Sequence, residues 1–174
     1  MEELVKEAKK GDNEAFSRLI NLYKKELYLV AKSKLGNEED IADCIQETIL
    51  KCFKNIKQLK DNRLFKFWLI KILINECHRL YKRKGRGEVS IEENEMENVL
   101  RSDGKIEDRL SFESMIKDLS EEERTILTLY YVAGYNTKEI GKVLRKNDNT
   151  IRVKMMRAKN KLKKIYEGGE LYEW

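Results

Sequence analysis

Residues 136–165 read NTKEIGKVLRKNDNTIRVKMMRAKNKLKKI, and this stretch decides the fold of the C-terminal part of the chain. Asn136 can cap a short helix, and after a four-residue turn Asn147 can cap a longer helix that begins near Asn149. A short helix, a tight turn and a longer basic helix form the helix-turn-helix arrangement. Gly141 lies inside the first helical pattern, which predicts that the two helices approach closely at this position.

The second of these helices is strongly basic. Residues 145–164 hold nine Lys and Arg side chains and one acidic residue, which attracts a polyanion because each phosphate contact releases a counterion. One face is apolar and is predicted to pack on the preceding helices: Ile151, Met155, Ala158, Leu162 and Ile165. The opposite face carries the candidate base and phosphate contacts: Asn149, Thr150, Arg152, Val153, Met156 and Arg157. A basic run is also compatible with a solvated helix face, but the capped turn before it favours DNA binding.

Before the helix-turn-helix, the sequence predicts one more helix and, further upstream, a linker between two folded parts. Ser120 and Glu123 have the spacing of a capping box, and Gly134 is placed to end the helix that follows. Further upstream, residues 85–109 carry more acidic than basic side chains and no apolar stripe wide enough to fold alone. We predict an all-α protein with two small helical domains, 1–84 and 110–174, joined by a flexible acidic linker over 85–109.

The N-terminal part repeats apolar residues at spacings of three and four, without an alternating strand pattern, which predicts helices. The helix after Asn37 has two different faces. Its polar face holds Asp43, Gln46 and Glu47 around one apolar residue, Leu50. This is how a protein-contact patch looks, although single exposed leucines are also common on surfaces without a partner.

A further helical pattern covers residues 63–84. Its first half is apolar, and we predict that Phe65, Phe67 and Trp68 are core residues rather than platforms on which bases stack. Its second half presents a polar and basic stripe, which suits phosphate and base contact but is equally compatible with a solvated face. The stripe consists of Asn75, Arg79, Lys82 and Arg83.

Residue types that carry covalent chemistry are sparse. The single histidine, His78, has no carboxylates at ligand spacing, and Cys44 and Cys52 are predicted to be buried small hydrophobic residues. Motifs for metal, nucleotide or nucleophilic chemistry are missing. We therefore expect no catalytic residue, metal, cofactor or small-molecule substrate. An odd number of cysteines, without a signal peptide or a membrane-spanning segment, indicates a cytoplasmic protein.

Four motifs in this order resemble the extracytoplasmic-function sigma factors of bacterial RNA polymerase, group 4 of the sigma-70 family. AKKGDNEAF at residues 8–16 is similar to the opening of the family, and DIADCIQET at residues 40–48 is similar to its polymerase-binding segment. FKFWL at residues 65–69, with the basic tail of its helix, resembles the element that melts the promoter and reads the minus-ten element. Residues 119–164 resemble the domain that reads the minus-thirty-five element. The resemblance covers nearly the whole chain.

The resemblance implies roles for the matching positions. Contacts with the clamp coiled coil of the polymerase largest subunit would come from Asp40, Asp43, Gln46, Glu47 and Leu50. A loop that captures a flipped minus-ten base would be formed by Leu59, Lys60, Asp61 and Asn62. The polar and basic stripe of the helix predicted over residues 63–84 would hold the adjoining DNA. The polar face of the last helix would enter the minus-thirty-five major groove.

The resemblance also implies partners. These are core RNA polymerase, through its clamp coiled coil and its flap, promoter DNA, and an anti-sigma factor, which in this family can be membrane-anchored. Lys146 departs from the family, which usually has a buried aliphatic residue in the turn, and this leaves the packing of the turn open. The alternatives are a free-standing helix-turn-helix repressor or activator and, less favoured by the basic run, a pure interaction adaptor.

Overall fold

A computed structural model describes residues 1–83 and 115–166, which fall into two compact units. We call residues 1–83 the N-terminal unit and residues 115–166 the C-terminal unit. Both are built from α-helices and short turns, and the described residues contain no strand. The predicted all-α class is therefore confirmed. The predicted acidic linker, residues 85–109, lies outside the described residues.

The N-terminal unit consists of four α-helices and two short 3₁₀ turns. The α-helices are α1 (Glu2–Lys10), α2 (Asn13–Lys34), α3 (Glu38–Asn55) and α4 (Phe65–Arg83). The 3₁₀ turns, Ile56–Gln58 and Asn62–Leu64, lie between α3 and α4. The fourth helix thus begins two residues later than the pattern predicted, after the second 3₁₀ turn.

Local capping chemistry decides where these helices start. Gly11 ends α1 with a left-handed φ of 100°, and the Asp12 side chain then accepts hydrogen bonds from two backbone N–H groups of α2. The Asn37 side chain accepts from the backbone N–H of Asp40 at 3.2 Å and caps α3. Each cap satisfies N–H groups that have no partner inside their own helix.

The core of the N-terminal unit lies around α2, which packs against α1, α3 and α4. Leu19, Leu27 and Val30 of α2 are fully buried, as are Leu69 and Leu73 of α4. Truncating one such leucine to alanine costs about 2–5 kcal/mol, because the cavity closes only in part. This packing holds α3 and α4 side by side. It therefore fixes the relative positions of their exposed surfaces, which are described below.

The aromatic residues of α4 differ in part from the prediction. Phe65 is buried and its ring lies 5.8 Å from that of Tyr23, as expected of a core residue. Phe67 and Trp68 are only half-buried. The Trp68 ring packs against Phe65 on one side and borders a shallow depression with Asn75 on the other.

The C-terminal unit contains a helix-turn-helix. Its helices are α5 (Glu121–Tyr131), α6 (Thr137–Leu144) and α7 (Asp148–Tyr166). The predicted capping box of Ser120 and Glu123 is present, and Asn136 forms a second one with Glu139. The longer helix begins at Asp148, one residue earlier than predicted.

The predicted apolar face of α7 packs against α5 and α6. Ile151 and Ala158 are fully buried and Met155 is 7 % exposed, while Leu162 is half-buried. The Ile165 side chain lies outside the described residues. The burial confirms the helical period that the sequence predicted for this face.

The turn between α6 and α7 explains the glycine at position 141. The backbone N–H of Lys146 donates to the Gly141 carbonyl at 2.9 Å, and Arg145 takes a left-handed φ of 56°. A Cβ added to Gly141 would lie 2.7 Å from the Lys146 carbonyl oxygen. The Lys146 side chain is exposed, and its ammonium group pairs with Glu122 of α5 at 2.7 Å. Residue 146 therefore forms an ion pair at the surface and does not pack into the core of the turn.

None of the helices in residues 1–83 and 115–166 combines the length and the apolar character that crossing a bilayer requires.

Candidate protein-contact and nucleic-acid interfaces

A stripe along the solvent side of α3 forms the first candidate interface. Asp43, Gln46, Glu47 and Leu50 are all exposed, and Leu50 presents 44 % of its surface. Phe53, which sequence reasoning missed, continues the stripe three residues beyond Leu50 and is 50 % exposed. We define these five residues as the α3 stripe. It is a row of acidic and amide groups around two apolar side chains.

Phe53 could have been found from its spacing. Positions three and four apart share one helix face, so Phe53 follows Gln46 and Leu50 along the same line. Its ring meets the buried Phe16 ring edge-on, with centroids 5.1 Å apart, so one side of Phe53 is anchored while the other faces solvent. A partner that docks here would meet a fixed apolar surface rather than a mobile side chain.

Asp40 does not belong to this exposed surface. Its side chain is only 7 % exposed, although the prediction grouped it with Asp43 as a polymerase contact. The physical reason is its angle on the helix. Asp40 lies about 40° from Cys44, which faces the core, at 100° per residue. The Asp40 side chain is therefore largely buried in this structure, unlike those of Asp43, Gln46 and Glu47.

An ion-pair network joins α3 to α4. Glu76 is buried, and its carboxylate accepts hydrogen bonds from Lys51 of α3 and from Arg79 at 2.8 Å. Arg79 also lies 3.7 Å from Glu47 of the α3 stripe. Burial alone would raise the pKa of Glu76, but the bonds from Lys51 and Arg79 outweigh it and lower that pKa. Glu76 is thus a charged anchor between the two helices.

The network brings two predicted sites together. One cleft is lined by Asp43, Gln46 and Glu47 of α3 and by Arg79 and Arg83 of α4. The predicted protein contacts and the predicted DNA contacts therefore meet along one edge of the N-terminal unit. Asn75 and Lys82 are exposed on α4 as well, so the whole predicted stripe is at the surface.

The loop between α3 and α4 is the second candidate interface, and its predicted partner is DNA. Lys60 is exposed, and Asp61 and Asn62 are half-buried. Leu59 differs from the prediction, because its side chain is only 7 % exposed and anchors the loop in the core. The Asp61 carboxylate accepts from the backbone N–H of Arg63 at 3.0 Å and from the Arg63 guanidinium at 2.8 Å. These bonds lower the pKa of Asp61.

The exposed face of α7 is the third candidate interface. The structure places all six predicted contacts at the surface: Asn149, Thr150, Arg152, Val153, Met156 and Arg157. Val153 and Met156 expose 42 % and 57 % of their surfaces, which gives this face two apolar positions among its polar ones. Arg152 Nε donates to Asp148 at 3.1 Å and is held at the start of the helix.

Some basic side chains of α7 turn toward the protein instead. Lys154 donates to Glu122 of α5, and Lys161 donates to Glu123 at 2.8 Å. Burial alone would raise the pKa of both carboxyls, but their lysine partners and other hydrogen bonds lower it overall. The basic run is therefore divided between residues that hold α7 on α5 and residues that face outward, with Arg157 among the latter.

Groups for metal chemistry are not assembled in the part of the chain that the structure describes. That part contains no cluster of three or more His, Cys, Asp or Glu side chains that could hold a metal ion. Cys44, Cys52 and Cys77 are buried, as predicted for the first two. His78 is exposed on α4.

Comparison with known proteins matches both units. The family model described as Sigma-70 region 2 matches residues 19–87, and the one described as Sigma-70, region 4 matches residues 109–162. The ECF RNA polymerase sigma factor SigW of Bacillus subtilis is 28 % identical over 92 % of this chain and 93 % of its own. The RNA polymerase sigma-H factor of Pseudomonas aeruginosa is 24 % identical over 95 % of this chain and 93 % of its own.

A solved structure shares the fold. The sigma factor RpoE, crystallised with the anti-sigma factor NepR from Bartonella quintana, aligns with a TM-score of 0.70 at 21 % identity. The alignment covers 89 % of this chain and 98 % of that chain.

Proposed function

This chain belongs to the extracytoplasmic-function sigma factors of the sigma-70 family, and from that premise we propose how its two units divide the work of transcription initiation. As an RNA polymerase sigma factor, it gives the core enzyme its promoter specificity. The observation that carries the proposal is the edge of the N-terminal unit, where an acidic and apolar stripe adjoins a basic one. Such an edge suits a factor that touches a protein and DNA at the same time.

The α3 stripe is the proposed polymerase contact. Leu50 and Phe53 supply exposed apolar area, and Asp43, Gln46 and Glu47 surround it with acidic and amide groups. Apolar anchors within a polar rim are typical of protein interfaces. We assign the stripe to the clamp coiled coil of the polymerase largest subunit, and the C-terminal unit to the flap.

Promoter DNA is the proposed partner of the basic surfaces. The loop residues Lys60, Asp61 and Asn62 would meet a base of the minus-ten element. The stripe of α4 would hold the adjoining DNA through Asn75, Arg79, Lys82 and Arg83. The outward face of α7 would enter the major groove at the minus-thirty-five element, with Arg152 and Arg157 as the charged contacts.

Regulation by an anti-sigma factor is proposed as well. It is supported by the fold shared with RpoE, which was crystallised with the anti-sigma factor NepR. Such a protein would act by covering the polymerase-binding or DNA-binding surfaces. We further propose that the chain acts in the cytoplasm, where its polymerase is, and that it performs no covalent chemistry itself.

The decisive experiment is run-off transcription with purified core RNA polymerase. A pool of promoter fragments is transcribed with and without the chain, and the transcripts are sequenced. We expect start sites that depend on the chain and share two elements upstream. The rival function, a free-standing repressor or activator, predicts instead that the chain alone binds a palindrome as a dimer and does not associate with core polymerase.

A further inference from the structure

A lysine of the first helix closes the loop between α3 and α4. Helix α1 packs against both 3₁₀ turns of this loop. Lys9 of α1 reaches it from fifty residues away in sequence, and its Nζ lies 2.7 Å from the Leu59 carbonyl oxygen and 3.1 Å from Asn62 Oδ1. One ammonium group therefore ties the beginning of the loop to its end.

The other groups of the loop have fixed roles. The Leu59 side chain is buried, and its carbonyl oxygen is taken by Lys9. The Asp61 carboxylate is held by the backbone and the guanidinium of Arg63. Among the side chains of the loop, hydrogen-bond donors for outward contact thus come from the exposed Lys60 and the half-buried Asn62.

The chemistry of Lys9 decides which way the Asn62 amide faces. An ammonium group has only donors, so the amide must turn its oxygen toward Lys9. The amide NH₂ then lies on the other side of the group, where it can donate to an acceptor. A base offers such acceptors on its edges as carbonyl oxygens and ring nitrogens.

We propose that Lys9 is a positioning residue, which holds the two ends of the loop of residues 59–62 together and orients the Asn62 amide. In this orientation the amide NH₂ donates to an acceptor of a promoter base. The inference rests on the proposed function, because it takes this loop as a minus-ten contact. It adds a residue of α1 and a direction of hydrogen bonding to that contact.

The first test replaces Lys9. The full chain with Lys9→Met is assembled with core polymerase and transcribes a pool of promoters in which the minus-ten element is randomised. We expect at least a tenfold loss of open complexes and a loss of base preference at one minus-ten position, with unchanged binding to the core enzyme. Lys10→Met, an exposed lysine on the same helix, is the matched control and should behave like the wild type.

The second test replaces Asn62 without removing the partner of Lys9. Asn62→Asp keeps an oxygen for Lys9 and adds a charge to the bond, but it exchanges the outward donor for an acceptor. We expect a thermal midpoint no lower than that of the wild type and at least a tenfold loss of open complexes. If the bond between Lys9 and Asn62 were merely structural, the thermal midpoint would be kept and transcription would be kept as well.

The outcomes separate this inference from the function on which it rests. If the wild-type chain yields no promoter-dependent transcript, the proposed function fails and the inference with it. If the wild type is active and Asn62→Asp is equally active, or Lys9→Met keeps the wild-type base preference, only the role of Lys9 is overturned.

Discussion

All three cysteines lie in the N-terminal unit, and all of them are buried. The Sγ atoms of Cys44 and Cys77 are 3.2 Å apart between α3 and α4. The hydrogen bond with Cys44 and burial raise the pKa of Cys77, and burial raises the pKa of Cys52 to about 12. Since the thiolate is the reacting form of cysteine, these residues are placed for packing rather than for chemistry.

We therefore predict that the thiols stay unreactive until the unit unfolds. Ellman's reagent at pH 8 should label Cys52 about a thousandfold more slowly than a free thiol, because its thiolate fraction is smaller by about that factor. In guanidinium chloride all three cysteines should react at once. Fast labelling of any of the three in the native chain would contradict this account of burial.

Gly141 is required by a backbone contact. A Cβ at this position would lie 2.7 Å from the Lys146 carbonyl oxygen, which cannot move without opening the turn. We predict that Gly141→Ala destabilises the C-terminal unit by about 1–3 kcal/mol, the usual cost of overpacking. Hydrogen-exchange mass spectrometry on the full chain should show faster exchange in α6 and α7 and unchanged exchange in α2.

Gly134→Ala is a control that separates the cost of an unfavourable backbone conformation from the cost of a steric clash. Gly134 has a φ of +69° but open space where a Cβ would lie, so alanine there costs about 1–2 kcal/mol through its backbone conformation alone. Equal protection of α6 and α7 in the wild type and in Gly141→Ala would show that the turn adapts and that the glycine is dispensable.

At the scale of elements, the contact of α5 with α7 combines packing and charge. Glu123 closes the capping box of α5 and also binds Lys161 of α7, and its pKa is lowered. A carboxyl with a lowered pKa adds stability that is fully present above its ordinary value of 4.5 and is lost as the pH falls through the lowered value. The unit should therefore lose stability in acid below about pH 4.5.

We predict that Glu123→Gln removes part of this acid dependence. Glutamine can still close the capping box, so the substitution isolates the ion pair with Lys161. At pH 7 the thermal midpoint of the C-terminal unit should fall, and between pH 5 and pH 3 it should change less than in the wild type. A pH profile identical to that of the wild type would assign the acid sensitivity to other carboxyls.

The α3 stripe gives a prediction about binding. Glu47→Ala combined with Leu50→Ala should weaken association with core polymerase by tenfold or more, because the pair removes an apolar anchor and a charge beside it. Biolayer interferometry with immobilised core enzyme measures the change. Leu22→Ala on α2, which removes a leucine that is 55 % exposed, is the matched control. Equal affinity of the double variant and the wild type would move the interface elsewhere.

How far the elements were predictable depends on whether their signals are local. The caps at Asp12, Asn37, Ser120 and Asn136 act within one turn of chain, so the helix starts could be predicted from sequence alone. The apolar face of α7 follows a helical period and was predictable for the same reason. The pairing of Lys146 with Glu122 was not, because it joins residues far apart in sequence.

The candidate sites show the same division. The α3 stripe and the face of α7 follow from helical periodicity. Leu59 lies outside any periodic segment, so its burial depends on the surrounding fold, and the reach of Lys9 to this loop spans fifty residues. Lys154 and Lys161 flank the buried face of α7, which brings their ammonium groups within reach of Glu122 and Glu123 of α5.

At the scale of the whole molecule, the net charge of +5 is divided between the two ends of the chain. Residues 1–84 carry +6 and residues 111–174 carry +3, while residues 85–110 between them carry −4. Two modest basic surfaces on one chain add their binding energies only when something holds them at the spacing of their two targets. Core polymerase is the proposed agent that sets this distance.

This argument predicts weak promoter binding by the chain alone. Fluorescence anisotropy with a promoter duplex should show a large gain in affinity when core polymerase is added, and the binding of the chain alone should fall steeply with salt.

Arg157→Ala should lower promoter binding and transcription by the holoenzyme about tenfold or more, the size of a lost base contact. It should leave the affinity for core polymerase unchanged, because Arg157 lies on the outward face of α7. Lys117→Ala, an exposed lysine before α5, is the control. Tight binding of the promoter by the chain alone, or an equal loss of polymerase binding in Arg157→Ala, would contradict this division of labour.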